Sequence, residues 1–138
     1  MKTATAMILV AGLSTTAQAL ETGTLTLACQ GTVVSGIPDA KPEPFSMSLI
    51  ISFNAGTVQG FGTPGLLDPP VKITGINEVT VAFGGSTRFI GSDWSIVGTI
   101  DRVTGAVEAN QMLSDAKTGH TISSTAYSLK CRPAQRMF

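Results

Sequence analysis

Few residues in this 138-residue chain carry the chemistry that catalysis or metal binding needs. The carboxylates Asp101 and Glu108 flank one short turn, "DRVTG". A carboxylate pair is the minimum equipment for glycoside hydrolysis, one group serving as acid and the other as base or nucleophile. Asp101 equally suits the first position of the turn itself. The single histidine, His120, stands in "KTGHT" beside another turn. A general base needs an orienting partner and a cleft, and a lone turn histidine reads as solvated surface. One histidine and two cysteines far apart are too few for a zinc site. Nucleophile-elbow, phosphate-loop and calcium-loop spacings are missing from the sequence. The chain is therefore expected to be non-enzymatic, with no catalytic residue, no metal and no cofactor. A polysaccharide-directed hydrolase using Asp101 and Glu108 is the competing expectation.

The cysteines bear on compartment. Lys2, the apolar run "AMILVAGL" and the small residues of "AQA" follow the order of a cleavable signal peptide, 1–19. The apolar run is far shorter than the ~20 residues that span a bilayer. Cleavage after Ala19 leaves a single domain, 20–138. Cys29 in "LTLACQG" is a poor lipid-attachment residue. Thr26 stands three places before it where Leu is usual, Leu27 stands where a small residue is usual, and Glu21 separates it from the apolar run. A disulfide from Cys29 to Cys131 in "YSLKCRP" is the simpler expectation for an exported chain. It would close a loop of about 100 residues, worth about 4–5 kcal/mol in the chain-entropy account. The expected location is the periplasm or the medium.

Charge excludes some partners. Nine basic residues balance nine acidic ones, so no basic face is offered to nucleic acid. Charged residues are 13% of the chain, well below the ~25% of ordinary soluble domains. Ser and Thr take their place, which suits sheet surfaces. The longest uncharged run, Phe45 to Leu67, is broken by Asn54, Gly56, Gln59, Gly60, Gly62 and Pro64, so no membrane span is expected after signal cleavage. An outer-membrane barrel would need apolar residues at alternate positions before Phe138. Arg136, Ala134 and Arg132 stand there instead.

The remaining pattern predicts strands. In "FSMSLIISF", Phe45, Met47, Leu49, Ile51 and Phe53 share one face and Ser46, Ser48 and Ser52 the other. Similar rows are Leu25–Leu27–Cys29–Gly31–Val33, Val79–Val81–Phe83, Trp94–Ile96–Gly98–Ile100, Val107–Ala109 and Tyr127–Leu129–Cys131. Turns are expected at "NAG" (Asn54 to Gly56), Gly84–Gly85, "DRVTG" and "DAKTG", and a solvated connection at "PDAKPEP". Short strands with such turns and no helix between them predict an all-β chain, a small antiparallel β-barrel of seven or eight strands. The disulfide would make the first and last strands neighbours and so close the barrel. A β-sandwich satisfies the same bond across its two layers and is the alternative.

Two features suggest binding. "GFGTPGLLDPP" is a Gly/Pro loop that nonetheless carries Phe61, Leu66 and Leu67. Such side chains either plug a barrel end or offer an apolar patch to a partner. Trp94, the only tryptophan, either packs in the core or stacks on a ligand near a barrel mouth. Ligand-binding candidates are thus Phe61, Leu66, Leu67 and Trp94.

Across "DAKPEPFSM", "VQGFGTPGLLDPPVKIT", "IDRVTGAVEA" and "YSLKCRPAQ", the chain resembles a family of small exported proteobacterial proteins of unknown function. The resemblance implies export and a disulfide and implies no activity. In architecture alone it is similar to the periplasmic lysozyme inhibitors, small disulfide-stapled barrels, although their Tyr- and Cys-rich opening motif is absent. The expected function is binding of a small apolar molecule or an envelope protein; a purely structural envelope role is a further alternative.

Overall fold

Alternating apolar and hydroxyl side chains build eight antiparallel strands among the described residues. The computed structural model describes 23–36, 40–62 and 71–135. The expected leader 1–19, Leu66, Leu67 and Phe138 lie outside them. The strands are β1 (Thr24–Ser35), β2 (Glu43–Ser52), β3 (Thr57–Gln59), β4 (Val71–Ile76), β5 (Thr80–Phe89), β6 (Ser92–Asp101), β7 (Ala106–Asp115) and β8 (Thr121–Pro133). Each pairs with its neighbour in sequence and β8 pairs with β1, closing a meander barrel. A closed barrel leaves no sandwich layers.

Closure is sealed covalently. Cys29 and Cys131 face each other in the β1–β8 register, with Cα atoms 4.0 Å apart, and are joined by a disulfide. Both are buried. The opposite flank is thin. β3 pairs with β2 at three positions and with β4 at two, so in the described residues Glu43–Leu49 of β2 and Gly85–Phe89 of β5 face no strand on that side. The chain leaving β3 closes part of this gap. Gly60 runs along Ser48 and Leu49 of β2, in a backbone conformation with φ 132°.

The inward rows are those the alternation predicts. Leu27, Cys29, Leu49, Ile51, Val81, Phe83, Trp94, Ile96, Ile100, Val107, Ala109 and Leu129 are all buried. Phe83 needs room at the axis, and Gly98 supplies it: a Cβ there would strike the Phe83 ring and come within 2.8 Å of the Ala109 Cβ. One turn expectation is corrected. Gly84 and Gly85 lie inside β5, paired with Val97 and Ile96. The hairpin comes later, at Ile90–Gly91, where both residues have positive φ (40° and 75°). That is the two-residue turn matching strand twist, normally built from Asn-Gly. An isoleucine there escapes sequence reading because its branched Cβ disfavours the left-handed region. Val79, expected in the row with Val81, precedes β5 and is exposed. "NAG", "DRVTG" and "DAKTG" turn as expected, with Gly56, Gly105 and Gly119 at positive φ.

Candidate functional site

The two barrel ends differ. The crown carries the β5–β6 and β7–β8 hairpins; the base carries the start of β1, the β2–β3, β4–β5 and β6–β7 turns and the end of β8.

Toward the crown the interior is filled by aromatic rings. Phe61 is only 5% exposed. It stacks on Phe83 with ring centroids 5.3 Å apart and meets Tyr127 edge-on at 5.3 Å. Tyr127 in turn lies 5.6 Å from Phe45. Half-burial pushes the Tyr127 phenol up from its ordinary pKa. Phe61 is therefore the plug, not the patch, of the two roles its loop allows. Trp94 is 1% exposed, and its Nε1 donor has no partner among the described residues. Packing accounts for its burial, and it also lines an open hollow with Ser86, Arg88, Asp93 and Ser114. His120 is exposed beside the β7–β8 turn.

At the base the inward rows end with no plug among the described residues. Leu25, Leu27, Ile51, Phe53, Val81 and Ile100 form the floor of an apolar groove of about 290 Å³. The turn Asp101–Gly105 forms one wall and Cys131–Arg132–Pro133 the other. Val103, 77% exposed, stands on the rim. The rim is held by hydrogen bonds. Asp101 Oδ1 accepts from the amides of Val103 (2.8 Å) and Thr104 (2.9 Å). The Gly105 carbonyl accepts from the Cys131 amide at 2.8 Å, tying the turn to the disulfide. The Arg102 amide donates to the Val79 carbonyl at 2.7 Å, and its guanidinium donates to the Asn77 carbonyl. The amides of Thr104 and then Val103 hold the Asp101 carboxyl below the usual carboxylate range.

The sequence-derived carboxylate pair does not form a shared cleft. Asp101 is engaged by its own turn. Glu108 lies exposed on the outer wall, opposite Thr99 on β6 and Ser128 on β8, and accepts from the Ser128 hydroxyl at 2.8 Å. It does not line the groove. Among the described residues no three His, Cys, Asp or Glu side chains gather in a metal-binding group.

Sequence reading missed Leu25, Phe53 and Val103 as site residues. The available signals were an apolar residue inside a polar turn, Val103 in "DRVTG", and inward rows that end on Leu25 and Phe53. No protein-family model, curated protein or solved structure matches the chain.

Proposed function

We propose that the protein is an exported, non-enzymatic barrel that binds a small apolar ligand in the groove at its base. The carrying observation is that groove: an apolar hollow with buried Leu27, Ile51, Val81 and Ile100 at its bottom and half-buried Leu25 and Phe53 above them, open to solvent among the described residues. Removing such surface from water is the usual driving force for small-ligand binding, and few polar groups are needed beside it. A volume of about 290 Å³ lies at the small end of ligand sites, which run ~300–1,000 Å³. The disulfide suits an oxidising compartment. The outer faces of the strands, with Thr24, Thr26, Gln30, Ser46, Ser95, Thr99, Glu108 and Ser128, suit water better than lipid, because a membrane barrel reverses the polarity.

The test uses N-phenyl-1-naphthylamine, a neutral apolar fluorophore, titrated into the oxidised protein. Saturable fluorescence enhancement is expected. Val103→Asp and Leu25→Asn should each weaken it about tenfold, with folding checked by circular dichroism. Absence of saturable binding, or binding that both variants leave unchanged while folded, would overturn the proposal.

A further inference from the structure

Two arginines are among the residues that line this apolar groove. Arg102 comes from the β6–β7 turn and Arg132 from the end of β8, and both line the groove. Arg102 spends one Nη1 hydrogen on the Asn77 carbonyl; its other donors are uncommitted among the described residues. Neither arginine belongs to the one ion pair found among those residues, Arg88–Asp93 at the crown. Among the described residues one carboxylate lines the groove, Asp101, and it faces its own turn amides. Among the described residues the mouth thus presents Arg102 and Arg132, with Lys130 acting on Asp101 from nearby, against that one engaged anion, above a floor with no polar side chain.

We propose that the ligand is a single-chain amphiphile with an anionic head, a fatty carboxylate. The inference rests on the apolar groove proposed above. The chain would lie along Leu25, Ile51, Phe53 and Ile100, and the carboxylate would sit between Arg102 and Arg132. Arginine is the side chain whose planar donor fork fits a carboxylate best. With Asp101 set against Arg102, Arg132 and the nearby Lys130, the rim is net positive, which an anionic head complements. Size sets the chain. A methylene occupies about the ~30 Å³ share of a water molecule, so the groove holds roughly eight to ten carbons.

The experiment measures displacement of N-phenyl-1-naphthylamine from the oxidised protein by decanoate, 1-decanol and decyltrimethylammonium at low ionic strength. Decanoate is expected to bind about tenfold tighter than decanol, and decyltrimethylammonium more weakly than either. Lengthening the carboxylate from six carbons should tighten binding about fourfold per methylene until the groove is full. Arg102→Gln with Arg132→Gln should abolish the preference for decanoate, read as the ratio of decanoate to decanol affinity; lysine at both positions should restore it. Decanoate no tighter than decanol, or a preference that survives the double glutamine variant, would overturn the proposal while leaving the apolar site standing. Failure of all three amphiphiles and of the fluorophore would remove both. Decanoate binding that appears only after deletion of residues 136–138 would overturn it in favour of the chain's own tail.

Discussion

Two turns of one pattern, D-x-x-T-G, sit at opposite ends of the barrel. In "DRVTG" at the base and "DAKTG" at the crown, the Asp carboxylate accepts from the amides two and three residues on. The Gly amide returns to the Asp carbonyl at 2.9 Å and 2.8 Å. The Thr hydroxyl accepts from the residue after the Gly in both. Local chemistry is the same, but the surroundings are not. Gly105 packs against the Cys131 backbone, whereas a Cβ at Gly119 would meet open space. The two middle residues follow suit. Arg-Val at the base lines an apolar groove, and Ala-Lys at the crown reaches the neighbouring hairpin through the Ala116 amide, which donates to the Gly91 carbonyl. The turn motif sets hairpin shape alone; barrel closure and the two variable residues decide whether that hairpin becomes the wall of a site.

The contrast between filled crown and open base can be broken by substitution. Phe61→Ala removes the plug and should destabilise by about 3–5 kcal/mol in urea unfolding. Phe53→Ala, at the open base, should destabilise by only about 1–2 kcal/mol while weakening fluorophore binding. Equal losses of stability would erase the distinction. Replacing both cysteines by Ala should destabilise by about 2–5 kcal/mol and loosen the groove wall at Cys131. The twin turns give a sharper comparison. Gly119→Ala meets only left-handed strain, about 1 kcal/mol. Gly105→Ala adds a collision with the Cys131 carbonyl and should lose about 3 kcal/mol.

Smaller effects lie in the remaining turns. Ile90, 86% exposed and at positive φ, should yield about 0.5–1 kcal/mol of added stability on replacement by Asn, read as a raised thermal midpoint. Asp101 and Asp115 are both held below the usual carboxylate range by turn amides. A depressed carboxyl contributes stability above its unfolded-state pKa and loses it as pH falls through the folded value. Stability should therefore drop slightly as pH falls below about 5. Asp101→Asn should flatten part of that drop, and Asp115→Asn a similar part.

Sidedness was legible because a strand repeats every two residues. Leu49, Ile51, Trp94, Ile96 and Leu129 could be assigned inward from spacing alone, and the pairing of Cys29 with Cys131 implied closure. Where glycine could serve either a turn or a close packing contact, the sequence was silent: Gly84–Gly85 pairs within a strand, while Ile90–Gly91 turns. The groove was harder still. Leu25, Phe53, Val103 and Arg132 are far apart in the chain and meet only because β8 returns to β1. The Gly/Pro loop around Phe61 stands out in the sequence because it carries apolar residues, yet Phe61 turns inward onto Phe83 and Tyr127.

The most direct test of an open base and a filled crown is an amide NMR titration of the oxidised protein with N-phenyl-1-naphthylamine. The expected result is shifts confined to Leu25, Phe53, Val103, Gly105 and Arg132, with the Trp94 indole and the Ile90–Gly91 turn unmoved. Shifts centred on Trp94, Phe61 or Ile90, with the base unmoved, would contradict it.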